Sequence, residues 1–71
     1  MMTATEKIRT VAKRKQINLG ELADKSGQSR QNLSNKMARD DLKESEIGVL
    51  ANILGCDFEV VLIDRETGER I

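Results

Sequence analysis

Two helix-start signals, Asn18 and Ser29, stand eleven residues apart with a glycine between them, and this spacing restricts the fold more than any other feature of the chain. Asn18 is a good N-cap, Glu21 lies three residues on, and Ile17 and Leu22 bracket the cap as a hydrophobic staple. The helix that starts there is short, Leu19–Lys25, because Ser26-Gly27 follows and Gly takes the left-handed conformation that ends a helix. One residue, Gln28, separates Gly27 from the next cap. A helix over residues 30–39 therefore follows across a very tight turn.

Similar punctuation divides the rest. Residues 5–16 read as a helix capped by Thr3 or Thr5, with Ile8, Val11 and Ala12 as its apolar stripe and Ile17 just beyond. Leu33 and Met37 are the apolar pair of the third helix. Asp40-Asp41-Leu42 is a break in which the two aspartates are expected to cap the next helix. Residues 43–54 follow, with Glu44 and Glu46 in the first turn, where the helix dipole favours anions. Ile47, Leu50, Ala51 and Leu54 are its buried stripe, and Gly55 ends it.

The tail changes period. Phe58-Glu59-Val60-Val61-Leu62-Ile63 is rich in β-formers, and Glu66-Thr67-Gly68 is a three-residue turn. That turn pairs Arg65 with Glu69, Asp64 with Arg70 and Ile63 with Ile71. Alternation places Phe58, Val60 and Leu62 over the helices and leaves Val61 and Ile63 outside. An edge strand with aliphatic groups in water favours pairing with a second chain. Phe58, Val61, Ile63 and Ile71 are accordingly the expected dimer interface. The expected fold class is mainly α: four helices over residues 1–57, and a C-terminal β-strand or hairpin over 58–71 as a dimerisation element of the same domain.

With 71 residues the chain forms one small domain whose core is marginal. No apolar run approaches the length of a membrane span, and the polar N-terminus does not read as a signal peptide, so a cytoplasmic location is expected. The single cysteine, Cys56, cannot form an internal disulfide and reads as a small buried hydrophobe. Histidine is absent, no nucleophile–base pair is visible, and metal-ligand spacings are missing. No enzyme activity, cofactor, metal or small-molecule ligand is expected.

The zero net charge hides a split. Residues 1–39 hold nine bases against three acids, a balance of +6, and residues 40–71 hold three against nine, a balance of −6. Such asymmetry directs one end of a domain toward an anion. On the third helix, Gln31, Ser34, Asn35 and Ala38 share one face. A solvated face ordinarily uses Glu and Lys, whose helix propensity is better than that of Asn or Ser. Weak helix formers concentrated on one face point to binding.

Two short helices joined across a glycine, the second presenting amides, have the layout of a helix-turn-helix. The stretch from Glu21 to Arg30, with Ala23 as the small residue, Gly27 at the turn and Leu33 as the buried aliphatic, resembles the lambda-repressor-like (XRE/Cro-type) family. Leu50-Ala51-Asn52-Ile53-Leu54-Gly55-Cys56 resembles that family's fourth-helix ending. The resemblance covers roughly residues 5–57. Leu19 stands where the family often carries Gln, Gln28 replaces Val, and Lys36 stands where an aliphatic residue packs, with Met37 taking over.

The resemblance implies a sequence-specific regulator of double-stranded DNA, a repressor acting as a homodimer on a palindromic operator. By position, Arg30, Gln31, Ser34 and Asn35 would contact bases, and Ser29, Lys36, Arg39, Lys13 and Arg14 the phosphates. The alternative is an antitoxin-like or accessory module that grips a protein partner with the same helices.

Overall fold

A computed structural model describes residues 2–71; Met1, counted in the 1–57 domain, lies outside the described residues. The chain is mainly α, with four helices in the order α1 Ala4–Arg14, α2 Leu19–Lys25, α3 Arg30–Ala38 and α4 Glu44–Ile53. Thr3, Asn18 and Ser29 cap the first three, each accepting a backbone N–H three residues on. Helix α1 stops short of Gln16 because Gln16 takes a left-handed conformation (φ 58). The Ile17 N–H then reaches back to the Ala12 carbonyl at 2.9 Å, and the chain turns into α2.

The buried cluster is Ile8, Ala12, Leu22, Ala23, Leu33, Met37, Leu50 and Leu54, drawn from all four helices and the end of α4. Leu33 has no exposed surface, and Leu22 and Leu50 have 1 % each. Val11, Ile17, Ile47 and Cys56 pack against the edge of this cluster, half-buried. Helix α2 lies against α3, and α4 backs both α1 and α2.

Polar ties close the ends. The buried Thr5 hydroxyl donates to the Asp40 carboxylate, joining the first turn of α1 to the loop after α3. Asp40 is thereby turned away from α4, and the cap expected of Asp40-Asp41 does not form. Lys43 occupies the N-cap position instead, and its N–H donates to Glu46 Oε1 at 3.4 Å. At the other end of α4, the Lys15 ammonium donates to the Leu54 carbonyl. A cation on a helix's last carbonyls is favoured by the dipole.

The tail departs from the expected strand. No strand forms; a single antiparallel bridge joins Ile63 to Arg70. The register is also one residue away from the expected one. Leu62 and Ile71 exchange both backbone hydrogen bonds, at 3.0 and 2.8 Å, and the Asp64 N–H donates to Glu69 at 2.9 Å. The cause is Asp64, whose Oδ1 accepts the Glu66 N–H at 2.9 Å and so opens the loop one residue earlier. The loop closes at Gly68, which holds the positive φ (76) that the turn needs. Arg70 consequently reaches Glu59 at 3.9 Å rather than Asp64.

The middle of the tail, residues 60–62, also turns the opposite way from the expected alternation. Phe58 lies over α4, its Cδ1 3.4 Å from the point a Cβ would occupy on Gly48. Val61, expected outside, is half-buried, whereas Val60 and Leu62, expected over the helices, are 56 % and 70 % exposed. Ile63 and Ile71 are exposed as expected, and 39 % of Phe58 remains accessible. Residues 58–61 make no backbone hydrogen bond among the described residues, so no neighbouring strand holds them in the expected alternation.

Removing the central leucine tests this core. Leu33→Ala should cost about 2–5 kcal/mol. For a domain of this size that is a large share of a stability near 0.05–0.15 kcal/mol per residue, by the usual order-of-magnitude scale. Urea unfolding should show a lower midpoint with an unchanged slope.

Candidate nucleic-acid interface

The turn between α2 and α3 is built from backbone bonds first. Gly27 (φ 75) carries the chain away from α2, and the N–H groups of Gly27 and Gln28 return to the carbonyls of Asp24 and Ala23 at 3.1 and 3.0 Å. The Ser26 hydroxyl also donates to the Ala23 carbonyl, at 3.0 Å. Ser29 then accepts the Asn32 N–H at 3.1 Å. This cap leaves the first N–H groups of α3 without an intrahelical partner, as at any helix start.

Leu33 and Met37 face inward from α3, so its opposite side is fixed toward solvent. Gln31 and Asn35 are exposed there, one turn apart, and Gln31 Nε2 donates to Asn35 Oδ1 at 3.0 Å. Ser34 is half-buried and stands at the edge of this face rather than on it. A second amide pair, Asn32 Nδ2 to Gln28 Oε1 at 3.4 Å, runs alongside. Gln28 is itself held by the Ser26 hydroxyl at 3.0 Å. Neither Gln28 nor Asn32 was among the expected site residues, although their spacing of four, with Asn32 inside α3, marks them as neighbours.

The charged candidates separate into three groups. Arg30 and Arg39 are exposed at the two ends of α3, which itself carries no acidic residue. Arg30 leans over α2, its Cδ 3.7 Å from the point a Cβ would occupy on Gly20. Lys13 and Arg14 are exposed at the end of α1. Lys13 borders a shallow groove of about 210 Å³ shared with Leu19, Leu22 and Met37, which brings it beside α2 and α3. None of these four bases forms an ion pair among the described residues.

Lys36 behaves differently. Its ammonium lies 2.6 Å from Glu46 Oε2, and the two side chains are only 27 % and 22 % exposed. It points at α4, apart from the exposed Arg30 and Arg39 with which it was expected to stand. Glu46 thus uses one oxygen to hold the start of α4 and the other to hold the last turn of α3. The Lys36 hydrogen bond, helped by the Lys43 N–H, keeps the Glu46 carboxyl below its ordinary value despite some desolvation.

A larger groove of about 450 Å³ runs between α1, α4 and the tail, walled by Ile8, Val11, Ile47, Leu54 and Phe58. No residue of α3 lines it. Among the described residues no three His, Cys, Asp or Glu side chains gather as a metal site, and no helix is long and apolar enough to cross a membrane. Comparison with protein-family models, with curated proteins and with solved structures finds no match.

The Glu46 pair has a pH signature. Its carboxyl is depressed in the folded chain, so its stabilisation is complete above the ordinary carboxylate value and disappears as pH falls through the depressed one. Glu46→Gln should therefore melt lower than the wild type at neutral pH. Thermal scans at decreasing pH should show the two melting temperatures converging at the acid end of the carboxylate range.

Proposed function

We propose that this chain is a sequence-specific DNA-binding regulator of the lambda-repressor-like helix-turn-helix class, and that α3 enters the major groove. What carries the reading is the outer face of α3. Its exposed amide pair, Gln31 and Asn35, lies on a helix without acids, flanked by Arg30 and Arg39. Amides reach base edges, while guanidinium and ammonium groups neutralise phosphates. In this reading Ser29 and the first N–H groups of α3 meet one phosphate, and Arg39, Lys13 and Arg14 line the backbone. Arg30, leaning over Gly20, serves the rim of the interface. Lys36 braces α3 from behind.

The working form is a homodimer that represses by occupying a palindromic site. The exposed Val60, Leu62, Ile63 and Ile71 leave apolar surface in water. Among the described residues the backbone of 58–61 also makes no backbone hydrogen bond, which leaves an open edge. Pairing these tails about a two-fold axis covers both, and a palindromic site requires the two α3 helices of such a dimer to stand about 34 Å apart, one turn of DNA.

Selection of bound sites from random duplex DNA tests the whole reading, with an inverted repeat as the expected result. On the selected site, log K should fall with log salt at about −0.9 per phosphate contact. Arg39→Ala should make that slope shallower by about one contact, while Lys36→Ala leaves it unchanged. A flat salt response, or no selected sequence, would favour the protein-gripping alternative.

Sedimentation of the full chain gives the dimer's test. The intact protein should sediment as a dimer at tens of micromolar, by the order of magnitude for a moderate complex. Leu62→Glu should return it to a monomer with its helical content intact. A monomeric wild type at that concentration contradicts the dimer.

A further inference from the structure

We infer that the groove between the end of α1 and the α2–α3 pair is a binding site for a small aryl carboxylate, and that its occupant opposes DNA. The first half stands on the groove alone; the second rests on the DNA-binding reading. The groove holds about 210 Å³, with Ile17 and Leu19 as half-buried walls over a floor of Ala12, Leu22 and Met37. Arg9 and Lys13 line it from α1, one helical turn apart. Both are exposed, and neither forms an ion pair among the described residues. No aspartate or glutamate lines this groove, so its charged side is purely cationic and its floor apolar. The larger groove beside α4 lacks that polarity, because Asp57 and Glu59 stand there with Lys7. The expectation of no small-molecule ligand rested on motifs along the chain, whereas this groove assembles only where three helices meet.

The two sides of the groove define the ligand's chemistry. A carboxylate takes a guanidinium bidentately, and the adjacent ammonium offers a second charge-assisted bond. The body must be apolar and short, since the volume lies below the about 300–1,000 Å³ of sites that take larger ligands. A flat ring suits a shallow groove, and the Met37 thioether in the floor favours an aromatic one. Inorganic phosphate would satisfy the cations but leave the apolar floor uncovered. Lys13 is also assigned to the DNA backbone. A carboxylate held there takes that charge, so ligand and DNA compete for it.

Phenylacetate titrated into the full-length protein without DNA tests the site, with amide chemical shifts as the readout. The shifts should saturate and centre on Ala12, Lys13, Ile17 and Leu19. Phenylacetamide, which keeps the shape without the charge, should bind about tenfold or more weaker, the scale of one lost charge-assisted bond. Acetate, the charge without the ring, should not saturate over the same range. Arg9→Gln should weaken phenylacetate about tenfold likewise. Arg9 is exposed, and a thermal melt checks that the variant is folded. On a selected duplex, saturating phenylacetate should lower the wild type's DNA affinity severalfold. Arg9→Gln should keep its DNA affinity and lose that response. The absence of a saturable shift, shifts centred on Ile47 and Phe58, equal binding of phenylacetamide, or unchanged binding by Arg9→Gln would each overturn the site. Saturable binding at the groove with unaltered DNA affinity would overturn the competition. Failure to select any DNA sequence would remove the DNA-binding reading, and the site would still be decided by the shifts alone.

Discussion

Three leucines from three different helices, Leu22, Leu33 and Leu50, meet where water is excluded almost entirely. The arrangement of the other elements follows from that contact. A chain of this length has apolar surface for one such centre, so each helix can turn only one stripe inward. Burying Leu33 fixes the rotation of α3. With Leu33 and Met37 inside, Gln31 and Asn35 have no choice but to face out, and Arg30 and Arg39 flank them at the helix ends. The candidate binding face is thus a consequence of the core.

Around so small a core, polar contacts between distant residues take over work that packing does in larger domains. Thr5 with Asp40, Lys15 with the Leu54 carbonyl, and Lys36 with Glu46 each join segments far apart in sequence. Each is partly shielded, so it is screened less than an exposed pair would be. Lys36 and Glu46 matter most for the proposed function because they tie the last turn of α3 to the start of α4. A base that charge counting assigns to an anionic partner is spent inside the molecule, and Lys15 is spent likewise. The basic character of the first half is carried outward by fewer side chains than the net balance suggests.

The tail is the part least packed against the helices, with Val60, Leu62, Ile63 and Ile71 exposed. Its loop is well determined, since Asp64 and Thr67 each accept a backbone N–H two residues on and Gly68 supplies the left-handed position. Its apolar residues are not gathered into the core, and only Phe58 and Val61 turn toward cover. Local hydrogen bonding sets the turn. A strand needs a second strand, and beyond the bonds that join Leu62 to Ile71 and Asp64 to Glu69 the backbone of 58–61 has no such neighbour among the described residues.

The sequence by itself determined the four helices, because caps and glycines act within a few residues of where they stand: Asn18, Gly27 and Ser29 mark the boundaries observed. The spacing of Ile8, Leu22, Leu33 and Leu50 likewise marked the core, since a helical stripe can be read without knowing what it meets. The outward amide face was legible for the same reason. Only the tertiary structure decided the rest. The pairing of Lys36 with Glu46 and the diversion of Asp40 to Thr5 join residues ten and thirty-five positions apart. Local preference has no access to such distances. The tail's register turned on whether Asp64 would accept a backbone N–H or pair with a charge across the turn, and that is settled by the geometry of the folded loop, not by composition.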